Sequence, residues 1–358
     1  MEIKGVFVDE LLKNPGSWLS MRKATGIAIS SRVRLARNVS GGAFPGWAGE
    51  EERVRLCTQL QDAIGKLDGI STPTFLHMGD LDELDKEILR ERHLISTEMS
   101  ERGRGSGVAI SDDEGIAVMI NEEDHLRLQA IAPGMQLNET WGRINAVDTE
   151  LETSVDYAFT DRLGYLTACP SNVGTGLRAS VMLHLAGLRM LNEVDPVING
   201  LERLGLTVRG LLGEGTEAHG NMFQVSNQQT LGASEETIIH SLIDTVNEVI
   251  QHEQNARWRI MEKRETQLAD TVSRARGVLS NCRILSSQEA VNLLSALRLG
   301  VEMEMVGNLK VAGINEIMLL TQPAHLQKIA GRVLTAEERD ELRARLVREK
   351  LEGTSILV

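Results

Sequence analysis

The amino-acid sequence predicts an α+β fold: a largely antiparallel sheet flanked by helices, followed by a helical C-terminal domain. Three observations carry the prediction. "GVAIS", the turn "DDEG" and "IAVMIN" have the spacing and turn residues of a β-hairpin, and "HLRLQAIA" continues it as a third strand. Strand signals elsewhere alternate with helices, without the regular βαβ units of a parallel sheet. Beyond about residue 265 no clear strand signal remains, and capping-box spacings open two helices there.

In chain order, an N-terminal segment, 1–23, precedes the first strand pattern, "GIAISSRVRLARNV". Residues 50–100 read as helical, with amphipathic runs at "ERVRLCTQLQDAIGKL" and "DELDKEILRERHL". After the hairpin, strand signals recur at "YLTAC", "TVRG" and "NMFQVSN". "CPSNVGTGLR" follows the first of these and leads into "ASVMLHLAGLRM", a run with helical spacing. This reads as a glycine-bearing turn between a strand and a helix, an arrangement that often cradles phosphate. Ser234 is placed to cap a long helix whose Ile238, Ile239, Leu242, Ile243, Val246 and Ile250 form one apolar stripe. Ser286 with Glu289, and Thr335 with Glu338, have capping-box spacing, and Gly300 and Gly353 are the expected stops. The expected division is a catalytic body over 24–254 and a helical domain over 265–358.

The 358 residues carry a net charge of −13 and only 3% aromatics. Neither value suits a nucleic-acid binder that neutralises phosphates or stacks bases. An acidic body suits basic partners. The three cysteines, Cys57, Cys169 and Cys282, are far apart and form no C-x-x-C pair, so neither a disulfide framework nor a thiolate zinc site is expected. No stretch approaches the apolar length needed to span a bilayer. The expected location is a reducing cytoplasm.

No G-x-x-x-x-G-K-[ST] loop occurs, so any nucleotide phosphates must be held another way. Arginine suits that task, because its planar fork binds phosphate oxygens in pairs and keeps its charge. Arg32 and Arg34 alternate along "SSRVR" and so share a strand face. Arg127 stands in "NEEDHLR", Arg178 ends "CPSNVGTGLR", and Arg209 stands in "TVRGLLGEGTE". Beside them lie two acidic clusters, Glu122, Glu123 and Asp124 in one, Glu214 and Glu217 in the other. Paired carboxylates grip cations, bind metals or move protons. Spacing alone also allows solvated arginines and charged turns.

"CPSNVGT" resembles the signature of the phosphagen kinases, the ATP:guanidino phosphotransferases. "SSRVR", "NEEDHLR", "CPSNVGTGLRASV" and "RGLLGEGTEA…SN" follow in that family's order across roughly residues 24–254. The resemblance implies an antiparallel sheet flanked by helices, and ATP with Mg²⁺ as cofactors. It implies a nucleotide site built from Ser30, Ser31, Arg32, Val33 and Arg34, from Arg127, and from Arg178, Ala179, Ser180, Val181 and Met182. Arg209, Gly210, Leu211, Leu212, Gly213 and Glu214 would complete it, with His93 of "ERHLIS" contributing. Glu123 and Glu214 would hold the acceptor guanidinium, and Cys169 would contact it as a thiolate or strongly polarised thiol.

Small-molecule phosphagen kinases carry a helical domain before the catalytic body. Here Arg32 already lies in the catalytic region, and the helical extension is C-terminal instead. That layout is similar to the bacterial protein-arginine kinases, which implies arginine side chains of proteins as acceptors. A free-arginine kinase and an inactive phosphoarginine-binding adaptor are the alternatives. The extension contains "RDELRA", in which Arg339 and Arg343 are spaced i, i+4 with Asp340 between and Ala344 following. In the resembled family such an element is associated with phosphoarginine binding. The resemblance further implies a homo-oligomer and, as partners, a heat-shock repressor, a zinc-binding activator protein and the Clp protease machinery.

Overall fold

The computed structural model of the chain describes residues 3–13, 16–19, 26–210 and 219–357. The chain forms two compact units. The first takes in Met1–Trp18, Ser30–Val181 and Ser226–Asp244; the second takes in Leu19–Ile29, Met182–Val225 and Thr245–Val358.

In chain order the elements are α1 (Ile3–Leu11), β1 (Ala28–Arg37), α2 (Glu50–Ile64), β2 (Thr74–His77), α3 (Glu83–Glu91) and α4 (Thr97–Ser100). They are followed by β3 (Gly107–Ile110), β4 (Ile116–Ile120), β5 (Leu126–Pro133), α5 (Leu137–Glu152), a two-stranded ribbon of β6 (Phe159–Thr160) and β7 (Gly164–Tyr165), and β8 (Leu177–His184). The chain continues with α6 (Ala186–Met190), α7 (Val194–Arg203), β9 (Leu206–Gly210) and β10 (Met222–Asn227). After these come α8 (Glu235–Asn281), α9 (Ser287–Glu302), β11 (Val306–Gly307), α10 (Val311–Leu320), α11 (Pro323–Ala330), α12 (Ala336–Lys350) and β12 (Ser355–Ile356). The main sheet has the strand order β2-β3-β4-β5-β1-β8-β10-β9, and its β2–β3, β3–β4, β4–β5 and β1–β5 pairs are antiparallel.

The predicted hairpin forms as β3 and β4, with Val108 opposite Met119. Its turn is closed by Asp113, whose carboxylate accepts the Ser111 hydroxyl at 2.6 Å and the Gly115 N–H at 2.8 Å. β1 alternates as expected: Val33 and Leu35 are fully buried while Arg32 and Arg34 are half-buried on the other face. Leu76, Met78, Leu89, Val108, Ile110 and Met119 pack one core of the first unit. The core of the second is helical, with Leu268, Val272, Leu294, Leu297, Ile317 and Val347 at its centre. Both N-caps form: Ser286 accepts the Glu289 N–H at 3.2 Å, and Thr335 and Glu338 make a full capping box, each capping the other. Among the described residues no helix is long and apolar enough to cross a membrane.

Several elements differ from the expectation. "ASVMLH" is not helical but belongs to β8, and the helix α6 starts only at Ala186. Leu177, Ala179, Val181 and Leu183 are fully buried at period two, with Arg178, Ser180 and Met182 between them, so the strand alternation is present but runs straight on into the residues of α6. Of "YLTAC" only Tyr165 lies in a strand. Residues 74–77 form β2 inside the stretch read as wholly helical, and β11 pairs with β12 beyond residue 265. Gly300 does not stop α9 but lies within it, where a side chain would press into Val272. Gly353, with φ +80°, lies just past the end of α12.

Candidate active site

The strand order of the first unit gathers the arginines. Arg32 and Arg34 share one face of β1 with Ala36, and Ala36 lies opposite Arg127 of β5, so Arg127 rises from the same side. Arg178 follows the turn whose Gly176 carbonyl accepts the Ala36 N–H at 3.0 Å. Burial, then the charges of Arg127 and Arg178, lower Arg32 to about 10. Burial, then the charges of Arg32, Arg127 and Arg178, pull Arg34 far below the usual arginine value. The Arg34 Nε is buried and has no hydrogen-bond partner among the described residues. Half-buried guanidiniums that repel one another are costly unless a polyanion joins them. The set fits the phosphates of a nucleotide.

The β4–β5 turn supplies carboxylates beside that face. Glu122 is fully buried; its carboxylate accepts Arg127 Nη1 at 2.6 Å and the hydroxyl of Ser96. Burial alone would raise its pKa, but the Arg127 charge and these hydrogen bonds hold it below the usual carboxylate value. Asp124 Oδ1 accepts the Ala168 N–H at 2.6 Å, which fixes the turn to the residue before Cys169. Glu123, between them, is half-buried. Burial first, then the charges of Asp124 and Glu122, raise its pKa against the pull of Arg127. A carboxylate raised in this way is a competent proton acceptor next to a bound cation. Cys169 is partly exposed, its Sγ 3.0 Å from the Ser171 hydroxyl.

His93 lies near enough to Arg32 and Arg90 for their charges to act on its ring. Burial, then the charges of Arg32 and Arg90, lower it to about 3, so its ring is neutral. It sits edge-on to Trp18 with ring centres 5.0 Å apart, in a left-handed backbone conformation at φ +60°. Ser31 is committed to the scaffold: its hydroxyl donates to the Gly134 carbonyl at 2.8 Å and accepts the Gln136 N–H at 2.9 Å. Ser30, Val33, Ala179, Ser180 and Val181 are buried in their strands, and Met182 is half-buried. In the second unit Arg209 is exposed on β9 and Gly210 ends that strand. Leu211, Leu212, Gly213, Glu214 and Glu217 lie outside the described residues.

Sequence reading missed Gln129, whose side chain donates to the His93 carbonyl at 2.6 Å. It stands two residues from Arg127 on the same strand face, so the period-two rule would have found it. Ser96, the partner of Glu122, carried no local signal.

On α12 the "RDELRA" element divides between surface and core. Arg339 and Asp340 are half-buried, while Arg343 and Ala344 are buried. Arg343 donates to the Thr321 carbonyl at 3.0 Å, to the Leu285 carbonyl at 2.8 Å and to Asp340 at 2.5 Å. Among the described residues no group of three His, Cys, Asp or Glu could hold a metal ion.

Two family models match the chain: "ATP:guanido phosphotransferase, C-terminal catalytic domain" over residues 55–256, and "Protein-arginine kinase McsB C-terminal domain" over residues 265–356. A protein-arginine kinase from Pelotomaculum thermopropionicum is 47% identical over 330 residues, covering 90% of this chain and 92% of its own. One from Bacillus subtilis is 43% identical over 354 residues, covering 98% and 96%. A solved lombricine kinase matches with a TM-score of 0.57 at 27% identity, over 69% of this chain and 75% of its own. The duplicated taurocyamine kinase from Schistosoma mansoni, with bound transition state analog components, gives 0.60 at 26% identity, over 79% of this chain and 43% of its own. The chain belongs to the protein-arginine kinases, a family of ATP:guanido phosphotransferases.

Proposed function

We propose that the chain transfers the γ-phosphoryl group of ATP to arginine side chains of proteins. The observation that carries this reading is the pairing of two opposite sites. Mutually repelling arginines, with an Arg34 Nε that finds no partner among the described residues, suit a polyphosphate; Glu123 and Cys169, joined through Asp124, suit a guanidinium. Arg32, Arg34, Arg127, Arg178 and Arg209 hold the nucleotide phosphates in this reading. Mg²⁺ would travel on those phosphates, since it binds readily through substrate oxygens, and would neutralise charge there.

A guanidinium nitrogen is a poor nucleophile because its lone pair is delocalised. Glu123 and Glu214 orient the group and localise its charge away from the attacking nitrogen. As the N–P bond forms, Glu123 accepts that nitrogen's proton, and the bond to the β–γ bridging oxygen breaks with its electron pair leaving on ADP. Cys169 lies against the acceptor as a polarisable contact. The arginines carry the growing charge on the leaving oxygen, so positioning and electrostatics supply the acceleration.

The catalytic body over 24–254 and the helical domain over 265–358 belong to the same reading, as does a reducing cytoplasm, where the three free cysteines stay thiols. On α12 a phosphoarginine group would be read at the surface by Arg339 and Asp340, with Arg343 fixing Asp340 from below.

The test is incubation with ATP and an arginine-rich protein, read by ³¹P spectroscopy for an acid-labile N–P bond. Glu123→Gln should lower the rate by at least about 100-fold. Phosphorylation of free arginine alone would overturn the protein-substrate reading.

A further inference from the structure

We propose that Asn38, just past the end of β1, is a positioning residue for the acceptor half of the active site. The inference rests on the assignment of Glu123 and Cys169 to that half. Asn38 is 1% exposed, and its amide is used in both directions. Nδ2 donates to Asp124 Oδ1 at 2.6 Å and to the Leu166 carbonyl at 3.0 Å; Oδ1 accepts the His125 N–H at 2.9 Å. A primary amide is the one neutral side chain of this size that offers two donors and an acceptor in one plane.

These three bonds join the pieces that must meet. Asp124 and His125 follow Glu123 directly in the chain. Leu166 and, through Asp124, Ala168 belong to the segment that ends in Cys169. The backbone adds to the tie: the Asn38 carbonyl accepts the Ala158 N–H at 2.7 Å, and Ser40 N–H donates to Asp156 at 2.8 Å. On the other side, His125 Nδ1 accepts the Val39 N–H at 3.0 Å while Nε2 donates to the Ala43 carbonyl at 2.9 Å, which holds the ring neutral and in one orientation. The carboxylate and the thiol therefore share one buried anchor. Asp124, His125, Leu166 and Ala158, the partners of Asn38, all lie off the arginine face, so its loss should separate acceptor binding from nucleotide binding.

Asn38→Asp is the sharpest probe. It keeps the shape and the acceptor for His125, but it cannot donate to Leu166 and sets a second carboxylate against Asp124. Steady-state kinetics of the full chain with an arginine-rich protein should show kcat/KM for the acceptor lowered about 10- to 100-fold. The ATP dissociation constant, measured directly without acceptor, should stay within about twofold of the parent. A second readout needs no turnover. The alkylation rate of Cys169 should change, while that of Cys282 in the same molecule stays constant. Asn38→Ser provides the same comparison if the first variant folds poorly. Unchanged acceptor kinetics with unchanged Cys169 alkylation would overturn the proposal, as would a parallel loss of ATP binding, which marks a general structural role. Glu123→Gln run alongside separates the two levels. If that variant keeps the parent rate, the acceptor-site assignment itself fails; if it is inactive while Asn38→Asp is normal, only the role of Asn38 fails.

Discussion

Arg37 and Asp148 form a buried two-pronged ion pair, with Arg37 Nη2 2.6 Å and Nε 3.1 Å from the carboxylate, and with side chains 1% and 7% exposed. The same guanidinium lies 3.5 Å over the ring of Tyr165, and its Nη1 donates to the Thr175 carbonyl at 2.9 Å. One side chain at the end of β1 thus holds α5, the β6–β7 ribbon and the turn before Arg178. Replacing one partner leaves the other charge buried and uncompensated. Asp148→Ala should therefore cost about 3–5 kcal/mol in urea unfolding of the full chain. A loss below about 1 kcal/mol would mean that water compensates Arg37.

The turn held by Arg37 makes its own demand. Gly176 has φ +63°, and a Cβ there would stand 2.5 Å from the Ala36 carbonyl oxygen. That carbonyl belongs to β1, which carries Arg32 and Arg34, so the turn cannot retreat without moving Arg178. Gly176→Ala should destabilise the protein by about 2 kcal/mol and weaken ATP binding together. Weaker stability with intact ATP affinity would show that the strain is absorbed away from Arg178.

Arg34 should behave in the opposite sense for stability. Its charge is half-buried, depressed first by that burial and then by Arg32, Arg127 and Arg178. Arg34→Met removes a repelled charge, so Tm should rise by a few degrees, about 1 kcal/mol, while ATP affinity falls at least about tenfold. ATP should also raise the Tm of the parent far more than that of the variant. A fall in the Tm of ligand-free Arg34→Met would contradict the electrostatic account of the cluster.

How much of this was legible differs from element to element, for physical reasons. The β3–β4 hairpin and the Arg32/Arg34 face follow from alternation and turn chemistry, both of which are local. The meeting of Arg127 and Arg178 with that face depends on β5 and β8 flanking β1, and strand order leaves no local trace. The alternation of β8, with Arg178, Ser180 and His184 between buried apolar residues, is masked because the run continues without a break into the helical spacing of α6. Asn38 was invisible for a related reason: its three partners lie at positions 124, 125 and 166, so only the folded chain defines its role. Arg343 shows the limit in the other direction. Helical spacing put it on a face with Arg339, yet packing turned its guanidinium toward backbone carbonyls.

The second unit holds a titratable group that should mark its pH stability. His184 is fully buried, its Nε2 2.8 Å from the Ser295 hydroxyl and its Nδ1 3.8 Å from Glu302. Burial lowers it from 6.5 to about 4; Glu302 opposes the shift, and Arg298 and Arg257 assist it. The unfolded chain therefore takes up a proton near pH 6.5 that the folded chain refuses until about pH 4. Stability is full above the higher value and declines as pH falls through that window, by about 3 kcal/mol at about 1.4 kcal/mol per pH unit. His184→Gln should flatten the decline, whatever its effect on the stability at neutral pH. Equal slopes in the two proteins would assign the acid sensitivity to other groups.

Glu123 supplies the corresponding test on the rate. Proton acceptance requires its ionised form, and its pKa is raised by burial and by the charges of Asp124 and Glu122, with Arg127 pulling the other way. Activity should fall on the acid side with a midpoint above the ordinary carboxylate value. Glu122→Gln removes one repelling charge and also releases Arg127 from its ion pair, so both changes favour the ionised Glu123. The acid limb of kcat/KM for the acceptor should then move to lower pH, even if the maximal rate drops. Arg127→Gln removes the opposing charge of Arg127 and should move the limb to higher pH. Because these groups interact, the midpoints belong to the cluster, and it is the opposite directions of the two shifts that identify Glu123 as the base. A limb that stays in place in both variants would assign the acid limb, and with it the proton, to another group.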